Sequence, residues 1–282
     1  MAGPGGQVNE SIWDSAAPGW AKWESALMDA TVEATKQVLD AANVQEGMAV
    51  LDVACGAGGQ TIQAARRVGP SGHVYANDIA SKMLSFVDAN AADAGLQNVE
   101  TLHGPAEGLA ASGLRVEAAI CRLGLMLFQS PLEALSAVRA VLADEGRLAV
   151  LVVASPPENQ LFSQTMMIAL KHAGKTPPPA GSPGLFALSD PSRLENVFAT
   201  AGYSDIRVEK LVAQLSIASI DDALTMMKEA FGAYRAVLAE VDDAKRVMAW
   251  DEIRSCLEQF SGPDGVRADM TFLLASGSNS ST

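Results

Sequence analysis

Cysteine is scarce and scattered. Cys55, Cys121 and Cys256 are an odd set lying far apart, with no CxxC pair and no Cys/His cluster. That excludes a disulfide framework and leaves no ligand set for a structural zinc, so no metal is expected. Basic residues are outnumbered, with 20 Lys and Arg against 33 Asp and Glu, a net charge of −13. The longest basic runs, Arg66-Arg67 and Lys245-Arg246, are pairs. Such a surface repels a phosphate backbone, and no nucleic-acid partner is expected. Long hydrophobic runs are also missing. The most apolar, Arg147 to Ala154, has strand length and falls far short of the roughly 20 residues a bilayer crossing needs, so no membrane partner is expected. Met1 to Ser11 is Gly-rich and polar and lacks the basic and apolar regions of a signal peptide, which makes the cytoplasm the default location. Histidine is limited to His73, His103 and His172, so candidates for a general base are few.

Apolar residues make up 49% of the 282 residues, enough for a substantial core. Met1 to Ser11 reads as a flexible leader and Ser276 to Thr282 as a flexible tail. From Met48 onward, strand-like and helix-like stretches alternate. Strands are expected at Met48–Ala54, Gly72–Asp78, Val99–Leu102, Val116–Cys121 and Arg147–Val153, the last after a helix over Pro131–Leu142 and a turn at Ala143–Gly146. This rhythm predicts an α/β fold with a doubly wound, Rossmann-like, mostly parallel sheet. After Ser155 the rhythm breaks. A helix around Leu161–Lys171 precedes the Pro/Gly-rich segment Thr176–Gly184, which cannot be regular helix. A helix at Ser192–Ala201, a strand at Asp205–Leu215, a largely helical stretch from Asp221 to Phe260 and a strand at Met270–Ala275 complete the chain.

The chemistry is concentrated in Val50 to Thr61, where a buried strand runs into Cys55-Gly56-Ala57-Gly58-Gly59 and then a helix. Glycines there let the backbone approach a ligand closely, and the helix N-terminus favours an anionic group. Asp78, 20 residues past Gly58 at the end of the second strand, is placed to accept from both hydroxyls of a ribose. Together they point to a nucleoside-containing cofactor. A dinucleotide fingerprint would carry a third glycine where Thr61 stands, and Asp52 before the turn would repel a pyrophosphate.

The segment LDVACGAGG resembles motif I of the class I S-adenosylmethionine-dependent methyltransferases, in the branch related to ubiquinone and menaquinone biosynthesis. The resemblance runs from about Val44 to Val153. Cys121-Arg122-Leu123-Gly124-Leu125-Met126-Leu127-Phe128 is similar to the branch's segment after the fourth strand. The resemblance implies a seven-stranded sheet whose last strand is antiparallel, and S-adenosyl-L-methionine as cofactor, with S-adenosyl-L-homocysteine as product. It places Asp52, Ala54, Gly56, Gly58 and Gln60 around the methionine part. Asp78, Ile79 and Met83 fall at the ribose and adenine, and Ala106 and Glu107 at the adenine edge, since Pro105 replaces the family's usual Asp. Arg122 and Leu123 fall on the cofactor's carboxylate side.

The implied acceptor is a small hydrophobic molecule: a quinone precursor, an isoprenoid or a secondary metabolite, methylated at carbon or oxygen. Trp20, Trp23 and Leu27 share a helical face, and Trp13 and Trp20 are candidates for an aromatic lid. Phe162, Met166 and Phe186 are candidate pocket residues, the methionine suiting an adaptable apolar wall. Met226, Met227 and Phe231 either extend that pocket or form a contact in a homo-oligomer. His172 is the candidate acceptor-side base. Three parts are expected: residues 1–44 as leader and helical lid, 45–154 as the cofactor-binding core, and 155–282 as lid insert, helical insertion and closing strand pair. An NAD(P)-dependent oxidoreductase and a non-catalytic nucleoside-binding protein stay open as alternatives.

Overall fold

The computed structural model describes residues 4–280. Helix α1 (Pro4–Ala41) leads into a regular alternation. It runs β1 (Ala49–Val53), α2 (Gly59–Val68), β2 (His73–Asp78), α3 (Ser81–Asp93), β3 (Val99–His103), β4 (Val116–Arg122), α4 (Pro131–Val141) and β5 (Leu142–Val153). Beyond it come α5 (Gln160–His172), α6 (Pro191–Thr200), β6 (Ser204–Ile217), α7 (Ile220–Glu229), α8 (Gly232–Leu238) and α9 (Asp243–Leu257). A two-residue β7 (Ser261–Gly262) and a long β8 (Gly265–Ser278) close the described chain.

The sheet has the order β3-β2-β1-β4-β5-β8-β6, with β7 pairing beside β8. β1 to β5 are parallel, and β8 runs antiparallel between β5 and β6. The expected doubly wound, mostly parallel sheet is present, and the strand order reverses between β1 and β4. In open α/β sheets ligands bind in the crevice beyond the strand ends at such a reversal. β1 and β4 are buried along almost their whole length, as strands covered on both faces must be. α1, α2 and α3 touch one another as one layer, and α4 packs on α6 as another. α5, α7, α8 and α9 form a separate helical group that reaches α1.

The leader and tail differ from the sequence expectation. Helix α1 already includes Pro4 to Ser11, while Met1 to Gly3 of the leader and Ser281 and Thr282 of the tail lie outside the described residues. Glu10 pairs with His103 (3.2 Å), and the Asp14 carboxylate just beyond accepts from the Lys82 N–H at the start of α3 (3.0 Å). Ser276 to Ser278 are strand, paired with Arg147 to Ala149. Asn279 then clamps the segment expected to be a turn, donating from Nδ2 to the carbonyls of Leu142 (3.0 Å) and Ala143 (3.2 Å). Ala143–Gly146 is an excursion inside β5, with Glu145 at φ 63° and the register jumping from Val116–Leu142 to Ala118–Arg147. It behaves as a bulge that the chain end covers. Met226 and Met227 are fully buried, so neither is available for contact with another copy.

Gly19 sets how closely α1 approaches α7. A Cβ at Gly19 would overlap the backbone carbonyl of Glu229, which no side-chain rotation can relieve. Beside this contact, Trp23 donates its indole N–H to the Glu229 carboxylate (2.8 Å) and Lys22 pairs with it (2.7 Å). Gly19→Ala is expected to lower stability by about 1–3 kcal/mol in denaturant unfolding, the usual scale of overpacking. An unchanged midpoint would mean that α1 does not seat on α7 this way.

Candidate active site

A cavity of about 470 Å³ opens where the sheet order reverses. It is lined from the ends of four parallel strands: Ala54 to Gly56 after β1, Asp78 and Ile79 at β2, Gly104 to Glu107 after β3, and Arg122 to Gly124 at β4. Trp13, Trp20, Glu24 and Leu27 of α1 form its roof. Leu127, Phe128 and Gln129 complete one wall. A larger and more open depression, about 880 Å³, lies between α5 and α9, and none of its lining belongs to the glycine turn.

The turn after β1 is built by positive φ. Ala54 (φ 53°), Gly56 (φ 58°) and Gly58 (φ 98°) are all left-handed, a conformation costly for alanine and found where a site holds its backbone in place. Leu123, across the cavity at the end of β4, shares it (φ 61°). A side chain at Gly124 would strike Cβ of Ala54, so that glycine lets the two strand ends meet. Asp78 ties the turn to β2: its carboxylate accepts from the N–H of Gly56 (2.9 Å) and of Ala80 (2.9 Å). Burial raises the Asp78 pKa, and those hydrogen bonds oppose the rise. Asn77 donates to the carbonyls of Leu102 (3.0 Å) and Gly104 (2.9 Å), pinning the β3 loop beside it.

Asp52 and Gly58 do not face the cavity. Asp52 is fully buried beneath the turn, accepting from the Thr61 hydroxyl (2.5 Å) and the Gln60 amide (3.2 Å). Thr61, standing where a dinucleotide fingerprint has glycine, is thereby committed to Asp52. Gly58 begins α2 and packs on Val87; its role is to let α2 approach α3. Ala54, Gly56, Gln60, Asp78, Ile79, Met83, Ala106, Glu107, Arg122 and Leu123 all line the cavity, as do Trp13 and Trp20.

Arg122 donates to the hydroxyls of Thr31 (2.7 Å) and Thr35 (3.3 Å) of α1, while its Nε is buried without a partner. The indole N–H of Trp20 is likewise buried and unpartnered. Two unsatisfied donors among the lining residues, one on the roof helix and one at the end of β4, fit a ligand that brings acceptor oxygens.

The acceptor-side candidates divide: Trp13 and Trp20 line the cavity, whereas Phe162, Met166, Phe186 and His172 lie outside its lining. Trp23 faces Glu229 and not the cavity; on α1 it is Trp20, Glu24 and Leu27 that share the inner face, at four- and three-residue steps. Phe162 lies one layer out, its ring 5.4 Å from Phe231, which stands 5.6 Å from Trp20. Met166 and Phe186 pack on the main core. His172, at the end of α5, pairs with Glu252 of α9 (2.7 Å), which lines the other depression. The described cavity lining contains no histidine. Glu24 and Gln129 line the cavity as well, and the sequence reading does not name them. The spacing Trp13, Trp20, Leu27 was the available signal, since it puts Glu24 one turn from both Trp20 and Leu27.

Burial lifts the Asp52 pKa to about 7, against the hydrogen bonds from Thr61 and Gln60 and the nearby charge of Arg122. In the unfolded chain the same carboxyl ionises near its ordinary 3.8. The unfolded state therefore sheds the proton first as pH rises, and the native state loses a few kcal/mol at most between about pH 4 and pH 7. Asp52→Asn cannot titrate. Its stability relative to the wild type is expected to rise from pH 5 to pH 8 in denaturant unfolding. A pH-independent difference would contradict the raised ionisation.

Residues 44–176 match the methyltransferase domain family. A demethylmenaquinone methyltransferase of Listeria monocytogenes serotype 4a (strain HCC23) is 28% identical over 146 residues, 51% of this chain and 62% of that protein. The chain thus spans about three fifths of the length of the curated relatives it matches. The solved YcgJ protein of Bacillus subtilis shares the fold with a TM-score of 0.59 at 14% identity, over 89% of this chain and 99% of that one. Haemonchus contortus phosphoethanolamine N-methyltransferase 2, solved with S-adenosyl-L-methionine, does so with a TM-score of 0.52 at 14% identity, over 88% and 53%. Those two likenesses concern the fold alone. The methyltransferase-domain match over residues 44–176 thus spans the glycine turn, Asp78 and Arg122, which meet at the reversal of strand order.

Proposed function

We propose that this protein transfers the methyl group of S-adenosyl-L-methionine to a carbon or oxygen of a small hydrophobic acceptor, such as a quinone precursor, an isoprenoid or a secondary metabolite. The observation that carries the reading is one cavity that combines the glycine turn, Asp78 and Arg122 with an apolar roof of Trp13, Trp20 and Leu27. When bound, the cofactor supplies a methyl group already activated on a sulfonium.

The remaining chemistry belongs to the chain. Asp78 accepts from the ribose hydroxyls with the lone pairs that Gly56 and Ala80 leave free. Ile79, Met83, Ala106 and Glu107 enclose the adenosine, and the turn from Ala54 to Gly56 with Gln60 holds the methionine part over buried Asp52. Arg122 takes the carboxylate on its unpartnered Nε, beside Leu123. The apolar roof, with Leu127 and Phe128, excludes water and orients the acceptor, and such alignment supplies on the order of 7–11 kcal/mol. In this reading residues 1–44 act as a roof, 45–154 as the cofactor core, and residues 155–282 buttress both.

Incubation with methyl-labelled cofactor and a panel of phenols, quinols and prenylated compounds is expected to label an apolar acceptor; the absence of label from every compound would count against this acceptor class. Asp78→Ala is expected to weaken cofactor binding about tenfold or more, the worth of one or more charge-assisted hydrogen bonds. Unchanged affinity by calorimetry would remove Asp78 from the ribose. Because His172 lies away from the cavity, His172→Ala is expected to keep turnover within about tenfold, less than a general base typically contributes. A drop of a thousandfold with cofactor affinity intact would return His172 to the chemistry.

A further inference from the structure

α1 places a carboxylate in a cavity whose other charged wall groups, among the described residues, are Asp78, Glu107 and Arg122. Asp78 is held by Gly56 and Ala80, and Glu107 sits after β3 at the far side of the turn. Glu24 is different. One of its oxygens, Oε2, accepts from Asn90 Nδ2 (3.3 Å), and that same amide donates to the carbonyl of Ala57 in the glycine turn (2.9 Å). The other, Oε1, lies against Gly59 at the start of α2, where a Cβ would come within 2.9 Å of it. Glu24 is thus fixed beside the turn; burial raises its pKa, and the hydrogen bond at Gly59 and the charge of Arg122 oppose that rise. The wall next to the turn therefore presents one anion and one cation, the latter with a buried, unpartnered Nε.

We propose that Glu24 and Arg122 together read the zwitterionic amino-acid head of the cofactor, Glu24 taking the α-ammonium and Arg122 the α-carboxylate. A zwitterion adds no net charge to a half-buried site, so the pair can accept it without leaving either member uncompensated. Two separate charged contacts, one from the roof helix and one from β4, also distinguish the intact cofactor from nucleosides that lack the amino acid. Rejection of a ligand that leaves a buried charge unpaired is a stronger filter than any apolar contact offers. This assignment rests on the cofactor reading above and adds a specificity element that lies on α1, outside the core that carries the glycine turn.

The test is calorimetric binding to the full chain with three probes. S-Adenosylhomocysteine carries both groups, its deaminated analogue keeps only the carboxylate, and 5′-methylthioadenosine carries neither. The wild type is expected to prefer S-adenosylhomocysteine over the deaminated analogue by about tenfold or more. Glu24→Gln is expected to lose that preference while binding the deaminated analogue and 5′-methylthioadenosine within about twofold of wild type. Retained preference in Glu24→Gln would overturn the assignment. So would an equal loss for all three probes, which would mean that Glu24 only supports the fold of the turn. A wild type that binds none of the probes would instead overturn the cofactor reading itself.

Discussion

The guanidinium of Arg122 joins the floor of the cavity to its roof. It ends β4, yet it donates to two hydroxyls of α1, those of Thr31 and Thr35. Both threonines are buried, and each returns its own proton to a helix carbonyl one turn back, that of Leu27 (2.7 Å) and Thr31 (2.8 Å). The chain of donors gives partners to both threonine hydroxyls and to one end of the guanidinium, leaving Nε as the one stranded group of this set, and such a network is what makes a charge tolerable at a helix–sheet seam. Leu27, Glu24 and Trp20 lie at successive turns from that anchor and Trp13 two turns further on, so their positions over the cavity follow from it. The second anchor, Glu229 with Lys22 and Trp23, prevents α1 from rotating about the first.

The cavity also shows where conformational strain has been spent. Ala54 and Leu123 are two non-glycine residues with positive φ, and both sit at strand ends on the cavity wall. Each is locked by its neighbours: Ala54 by the close approach of Gly124, and Leu123 by its N–H bond to the Leu151 carbonyl (2.8 Å). A backbone held this firmly needs no reorganisation when a ligand arrives, which is the usual return on such strain.

Much of this was legible in the sequence because it is local. A strand, a glycine turn and a helix within Val50–Thr61 can be read from period and residue type, and Asp78 follows at a distance set by one βα unit. The sheet itself was legible for the same reason, since five strands and their crossovers each announce themselves within about 30 residues. What failed was long-range. His172 looked available because nothing near it in sequence shows that α9 will present Glu252 to it. Phe162 and Met166 had the right chemistry but the wrong layer, and no periodicity tells a wall from the packing behind it. Glu24 read as one more acid on an acidic chain, because its value depends on Asn90 and Arg122, 66 and 98 residues away. The tail read as flexible from its Ser/Gly composition; the unpaired edge of β5 and the excursion at Ala143–Gly146 supplied hydrogen bonds that composition does not reveal.

The position of β8 has a consequence for how the chain comes together in time. β6 is made before β8, yet among the described strands it pairs only with β8, which separates it from β5. The parallel half can assemble from neighbouring βα units as they emerge, whereas β6 must wait through the whole of α7, α8 and α9 for its partner. Non-local pairing of this kind is slow, and a waiting strand is exposed to pairing with other chains. β6 carries Arg207, Glu209 and Lys210 in its first half, and charged side chains on an unpaired strand discourage such joining. The last stage of folding is then a strand insertion between two elements already present, and the outer half of the sheet exists only once it has occurred.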